Sequence, residues 1–195
     1  MSAPHQAPLL DALAELPPGM RYVEEFLDAE EEAALLRAIA VLPLHNARYK
    51  EYTARRRTAA FGVMFDFTGK RMVDAPPIPD FLLRLRERVG CLAQVRADAF
   101  AHALVTEYPA GAALGWHRDV GAFAVVAGVS LGSACRMRLR PYPPPAGRSG
   151  PRASLELGPR SAYVLREQAR WAWEHAIPPT PGLRWSITLR TLRSR

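Results

Sequence analysis

ALVTEYPAGAALGWHRDV, residues 103–120, holds the end of a candidate strand over 100–108, a break at Pro109-Ala110-Gly111, and the triplet His117-Arg118-Asp119. In extended backbone, residues two apart share a face, so His117 and Asp119 present an imidazole nitrogen and a carboxylate oxygen together. Those are two of the three ligands of a 2-His-1-carboxylate facial triad, which holds Fe(II) and leaves positions open for substrate and O₂. H-x-D alone is equally a surface His-Arg-Asp, and at this point both readings stand.

Working outward, His175 follows His117 by 58 residues, within WAWEHAIPP. Trp171, Trp173 and His175 alternate with Ala172, Glu174 and Ala176, so a strand here places the histidine beside bulky aromatics. By itself it reads as a packed core histidine; a barrel that brings distant strands together makes it a third ligand. The run Leu183 to Arg190, LRWSITLR, puts Arg184, Ser186, Thr188 and Arg190 on one face and Trp185, Ile187 and Leu189 on the other. Either this is an edge strand with a wet face, or the polar face lines a barrel interior and receives a dianion. Six residues of strand separate the two arginines by about 20 Å, too far to share one carboxylate but suited to the two ends of a short dicarboxylate.

From Asp98 onward, short strands alternate with Gly/Pro turns. The candidates are 100–108, 122–131, 134–140, 153–157, 161–166, 171–176 and 183–192, with a stiff Pro-rich loop over 141–152. This spacing predicts a sandwich or barrel, jelly-roll closure among the options. Upstream, Asp28 with Glu31 forms a capping box for a helix over roughly 29–42. Asp80 is expected to cap a second helix over 81–95, with Arg84, Arg86 and Arg88 on its wet side. A strand is expected over 58–67. Before it, His45 to Arg57, HNARYKEYTARRR, is polar and basic. Tyr49, Tyr52, Arg55, Arg56 and Arg57 form either a lid that grips single-stranded nucleic acid or a solvated loop. Residues 1–20 read as a Pro/Ala-rich arm, and 21–195 as one domain, α+β but mainly β, with N-terminal helices packed on a β core.

The formal net charge is +7, carried almost wholly by arginine, since Lys50 and Lys70 are the only lysines. That composition suits a polyanionic partner such as nucleic acid; a codon bias toward arginine is the plain alternative. Cys91 and Cys135 match no metal or redox spacing and are expected as buried free thiols in a reducing compartment. With no apolar run of membrane length and no basic leader, the expectation is a soluble cytoplasmic protein, monomeric by default, without membrane contact.

The chain resembles the AlkB-like Fe(II)/2-oxoglutarate dioxygenases. The resemblance rests on Thr106-Glu107-Tyr108-Pro109-Ala110-Gly111, His117-Arg118-Asp119, Ser130-Leu131-Gly132, His175 ahead of Pro178, and Arg184-Trp185-Ser186-Ile187-Thr188-Leu189-Arg190, in that order. It implies a double-stranded β-helix (jelly-roll) core and iron held by His117, Asp119 and His175. It further implies that Arg184 and Tyr108 hold the far carboxylate of 2-oxoglutarate, that Arg190 serves the end near the metal, and that Thr106, Ser186 and Thr188 belong to the same cofactor site. The implied reaction consumes O₂ and 2-oxoglutarate and most often demethylates an alkylated base in DNA or RNA, flipped or single-stranded. Hydroxylation or demethylation of a protein side chain or small molecule is a second reading, and a non-catalytic basic nucleic-acid-binding module a third. Thr106 replaces the family's asparagine, and Val63 and Phe65 stand where relatives acting on damaged bases carry tyrosines.

Overall fold

The computed structural model describes residues 16–49, 52–147 and 150–194, leaving aside the side chains of 47–49 and 52–54. Most of the expected arm therefore lies outside the described residues. Met20–Val23 forms a short strand, β1. Asp28 then caps Ala29–Ala40 (α1): its carboxylate accepts from the Glu31 amide at 2.7 Å, and the Glu31 carboxylate accepts from the Asp28 amide at 3.1 Å. Both halves of the reciprocal box are thus present.

The polar segment, expected as a lid or a solvated loop, is strand. His45–Tyr49 (β2) pairs antiparallel with the start of Tyr52–Asp66 (β3), and Arg71–Asp74 (β4) folds back on the far end of β3. Polarity misleads here because the charge has a cross-strand partner. Arg57 stands opposite Glu107 in register and donates to its carboxylate through Nε at 2.6 Å and Nη2 at 2.8 Å. Opposite charges facing each other stabilise a ladder rather than break it.

Asp80 does not cap the second helix. It opens a 3₁₀ turn, Asp80–Leu82, behind Pro79, and the α-helix proper is Leu83–Ala93 (α2). Arg88 also leaves the expected wet side, because it is half-buried and its Nη1 donates to Glu31 at 2.6 Å, tying α2 to α1. Cys91 is exposed, contrary to expectation, while Cys135 is buried. Its position falls off the face on which Leu85, Val89 and Ala93 bury.

The β core follows as Phe100–Tyr108 (β5), Leu114–His117 (β6), Phe123–Gly132 (β7), Cys135–Pro141 (β8), Ala153–Leu157 (β9) and Ala162–Leu165 (β10). Glu167–Trp171 is a single helical turn, α3, before Trp173–Ile177 (β11) and Arg184–Leu192 (β12). The expected strand over 171–176 thus begins later, and only Trp173 can share the face of His175.

Two antiparallel sheets result. The large one runs β1-β10-β7-β12-β5-β3-β2, with β4 on β3, and the small one runs β6-β11-β8-β9. This is the mainly β, jelly-roll arrangement expected from the sequence. Alternation splits the core in two. Ile187, Leu189, Val105 and Val129 face outward onto α1 and α2, meeting Ile39, Leu85 and Val89. Val126, Leu165 and Tyr163 face the small sheet, meeting Met137, Leu139 and Leu157. The polar face of β12 belongs to this inner layer, which is where the site lies. No helix among the described residues is long and apolar enough to cross a membrane.

Candidate active site

His117 and His175 are direct cross-strand partners on β6 and β11, so their rings project from one face, with centroids 4.2 Å apart and planes tilted by 58°. The chain leaves β6 at once, and the turn aims Asp119 into the same space. One ligand atom from each of the three residues can be chosen so that all lie within 4.8 Å of one another. His117 Nδ1 is engaged with the Gly115 carbonyl at 2.9 Å, which leaves Nε2 facing inward. Such outer contacts fix the tautomer of a ligating histidine.

From the opposite sheet, Arg190 Nε donates to Asp119 Oδ1 at 2.8 Å, while Oδ2 stands 4.0 Å from His175 Nε2. The two carboxylate oxygens therefore have different work. Burial alone would raise the Asp119 pKa, but the charges of Arg190, His175 and His117 outweigh it and hold the carboxyl below the usual carboxylate range. Burial, followed by the neighbouring His117, pushes His175 down to about 3. An ionised carboxylate beside a neutral imidazole is the protonation state a divalent ion requires. Nitrogen and oxygen donors without thiolate suit Fe(II), and zinc also tolerates them.

At the other end of β12, Arg184 is 2% exposed. Its Nε donates to Ser130 Oγ at 3.2 Å, and its guanidinium lies 5.0 Å from the Tyr108 ring centroid. Its two terminal nitrogens have no hydrogen-bond partner among the described residues. A buried cation with unused donors calls for an anion, and a guanidinium fork matches a carboxylate. Ser186 and Thr188 are buried between the two arginines on the same face, with Thr106 beside Ser186 in register. The donor set thus fits a metal at one end and a carboxylate at the other.

Several residues here carry no signal in the sequence. Tyr163 is buried, and its phenol is raised well above the ordinary range by that burial. It lies flat over Gly128, where an added Cβ would stand 2.4 Å from its ring. Arg170 on α3 is 3% exposed, and one terminal nitrogen donates to the carbonyls of Asp119, Val120 and Phe123 at 3.2, 2.7 and 2.8 Å. It holds the loop that presents Asp119. His102, beside Arg190 in register, stacks on Phe123 at 5.1 Å and binds the Val63 carbonyl through Nδ1. Only the buried tyrosine in the apolar run AYVL offered a local hint.

A cavity of about 380 Å³ opens beside His117 and Asp119, lined also by Trp116, Arg118, Tyr142, Trp171 and Glu174; His175 does not line it. Arg118 stacks on the Tyr142 ring at 3.7 Å and donates to the Trp171 carbonyl at 3.1 Å. None of the expected lid residues lines this cavity among the described residues. The side chains of Tyr49 and Tyr52 lie outside the description, Arg55 is exposed near Gly111, Arg56 is half-buried, and Arg57 is engaged by Glu107.

Residues 19–190 match the 2OG-Fe(II) oxygenase superfamily. Similar proteins include an Arabidopsis thaliana protein named "Alkylated DNA repair protein ALKBH8 homolog", 31% identical over 83% of this chain and 51% of its own length. Another is the Mus musculus "tRNA (carboxymethyluridine(34)-5-O)-methyltransferase ALKBH8", 26% identical over 86% of this chain and 25% of its own. The chain therefore spans about half or less of these two relatives. The solved structure of OsALKBH1 superposes with a TM-score of 0.69 over 91% of this chain and 100% of that one, at 13% identity, a likeness of fold. Family match, jelly-roll topology and His-Asp-His cluster agree: the chain belongs to the 2OG-Fe(II) oxygenase superfamily as an AlkB-like 2-oxoglutarate-dependent dioxygenase, a family that uses Fe(II) and 2-oxoglutarate.

Proposed function

We propose that the protein oxidatively demethylates an alkylated base in DNA or RNA. The observation that carries the enzymatic part is the pairing, on β12, of a buried arginine with unused donors and an arginine that grips the Asp119 carboxylate. His117, Asp119 and His175 would hold the iron, with Arg190 keeping the Asp119 carboxylate in place by donating to Oδ1. Arg184, backed by Tyr108, takes the far carboxylate of 2-oxoglutarate, and Thr106, Ser186 and Thr188 line the space between. Iron with 2-oxoglutarate supplies oxidation of a substrate C–H bond by O₂, coupled to decarboxylation of the oxo acid to succinate. The inner apolar layer around Met137, Leu139 and Leu165 keeps bulk water from this chamber. A methyl group on a ring nitrogen, once hydroxylated, leaves as formaldehyde.

For the substrate, the support is the aromatic-lined cavity beside His117 and Asp119 together with the names borne by the relatives. Trp116 and Tyr142 each carry a guanidinium on one face, Arg140 and Arg118, so a flipped or single-stranded base would stack on the opposite face of either ring, with those cations close to its phosphate. The test is succinate and formaldehyde release by purified protein with Fe(II), ascorbate and 2-oxoglutarate, with and without a methylated single-stranded oligonucleotide. Stimulated succinate with stoichiometric formaldehyde is the expected result. Succinate release that ignores the oligonucleotide would overturn the substrate class and leave the dioxygenase.

A further inference from the structure

The outward face of the small sheet carries more arginines than acids, with Glu174 tied to Arg140 and Glu156 opposite Arg136 in register. Register fixes the face: His117, His175 and Leu139 are cross-strand neighbours pointing inward, so Trp116, Glu174 and Arg140 point outward. Along β8 the same side continues through Arg138, opposite Ser154, and Arg136, opposite Glu156; both arginines are exposed, and neither makes a hydrogen bond or an ion pair within 4.0 Å among the described residues. Arg152, also exposed, enters beside them, its amide bonded to the Leu139 carbonyl at 2.8 Å. Several other exposed arginines are matched, Arg96 by Asp98, Arg84 by Glu31 and Arg57 by Glu107, while Arg37, Arg55 and Arg71 stand singly; what sets β8 apart is that its arginines recur on one face of one strand.

The row also leads somewhere. Arg140 lies 4.2 Å from the Trp116 ring and is tied to Glu174, and just past the end of β8 Tyr142 lies under Arg118. Trp116 and Tyr142 both line the cavity beside His117 and Asp119. From Arg136 to Tyr142 the strand rises about 20 Å, with successive outward positions about 7 Å apart. Guanidinium groups in file, outnumbering the acids beside them and ending at aromatic rings beside a reactive centre, have the chemistry of a groove for single-stranded polynucleotide.

We propose that this face of β8 is the track for the sugar–phosphate backbone of a single-stranded nucleic acid, leading the target base into the cavity over His117 and Asp119. The inference rests on the functional reading above. The probe is a fluorescent oligothymidylate, titrated across salt concentrations against the wild type, Arg136→Ser/Arg138→Ser, and the charge-matched control Arg37→Ser/Arg84→Ser on the helical side of the molecule. Each lost phosphate contact lowers the log–log salt slope by about 0.7, so the test variant should lose about 1.4. Its affinity should fall roughly sixtyfold at 50 mM salt and converge with the wild type near 1 M. With a methylated oligonucleotide, KM should rise while kcat and the oligonucleotide-independent release of succinate stay unchanged; the control should match the wild type. Both side chains project into solvent, so thermal stability should hold, and the reversal Arg136→Glu/Arg138→Glu should deepen the effect. Wild-type binding that the test variant reproduces in slope and affinity would overturn the track while leaving the nucleic-acid reading intact. Wild type that fails to bind the probe at any salt would overturn both.

Discussion

Replacing Arg170 by methionine tests whether the loop bearing Asp119 is held by that one side chain. Three carbonyls accept from a single terminal nitrogen, at 2.7, 2.8 and 3.2 Å. That nitrogen has only two hydrogens, so the fair count is two full charge-assisted bonds, the longest contact being shared. At about 1.5–3 kcal/mol each, they contribute about 3–6 kcal/mol. Against this stands the cost of holding a guanidinium out of water: Nε has no partner among the described residues, and burial lowers the side chain's pKa. Methionine removes that cost and keeps most of the volume. The net loss is then about 3 kcal/mol, or a fall in Tm of about 6–12 °C for a chain of this size. Because the released carbonyls include that of Asp119 itself, Co(II) affinity should fall at least about tenfold, equivalent to about 1.4 kcal/mol. Denaturation of the metal-free protein reads the first quantity, and Co(II) titration by visible absorption reads the second. A Tm within about 2 °C of the wild type would refute the energetic count. A lowered Tm with unchanged Co(II) affinity would refute the link between clamp and ligand.

Further outcomes are open to direct measurement. His117→Ala should abolish turnover and Co(II) absorption while leaving the fold and Tm near the wild type, since its ring is only half-buried. Retained activity would remove it from the ligand set. Arg184→Gln should raise the KM for 2-oxoglutarate about a hundredfold, the loss of about 3 kcal/mol expected for two charged hydrogen bonds, without changing the KM for the oligonucleotide. An unchanged KM for 2-oxoglutarate would place the far carboxylate elsewhere. Gly128→Ala should cost about 1–3 kcal/mol in chemical denaturation, because the new Cβ would stand 2.4 Å from the buried Tyr163 ring. Adding Tyr163→Leu should recover part of that loss; strict additivity of the two substitutions would show that the clash is not the cause.

What the sequence disclosed and what it hid divide along the distance over which a residue's partner lies. The capping box of α1 closes within four residues and was legible, as was the polar face of β12, whose alternation survives in any strand. The triad needed H-x-D plus a family pattern to bring in His175, because the pairing of β6 with β11 spans 58 residues that periodicity cannot bridge. The segment around Arg57 is not legible as strand because the charge that satisfies it, Glu107, arrives from β5. Arg170 left no trace at all, since its partners are backbone carbonyls and carry no residue identity.

The position of β12 within the large sheet has a consequence for how the protein comes into being. It is the latest of the described strands in chain order, yet it lies between β7 and β5 and is bonded to both along nearly its whole length. During synthesis, β5 and β7 must therefore wait for their common neighbour with two apolar, unpaired edges facing each other. Such edges invite pairing with other chains, and closing them requires contacts distant in sequence, which form slowly. The nascent protein is accordingly most exposed to aggregation in the interval before residues 184–192 emerge. The arginines that complete the chamber arrive on the same strand that seals the fold, so a chain halted short of it holds His117, Asp119 and His175 without the partners that make them a site.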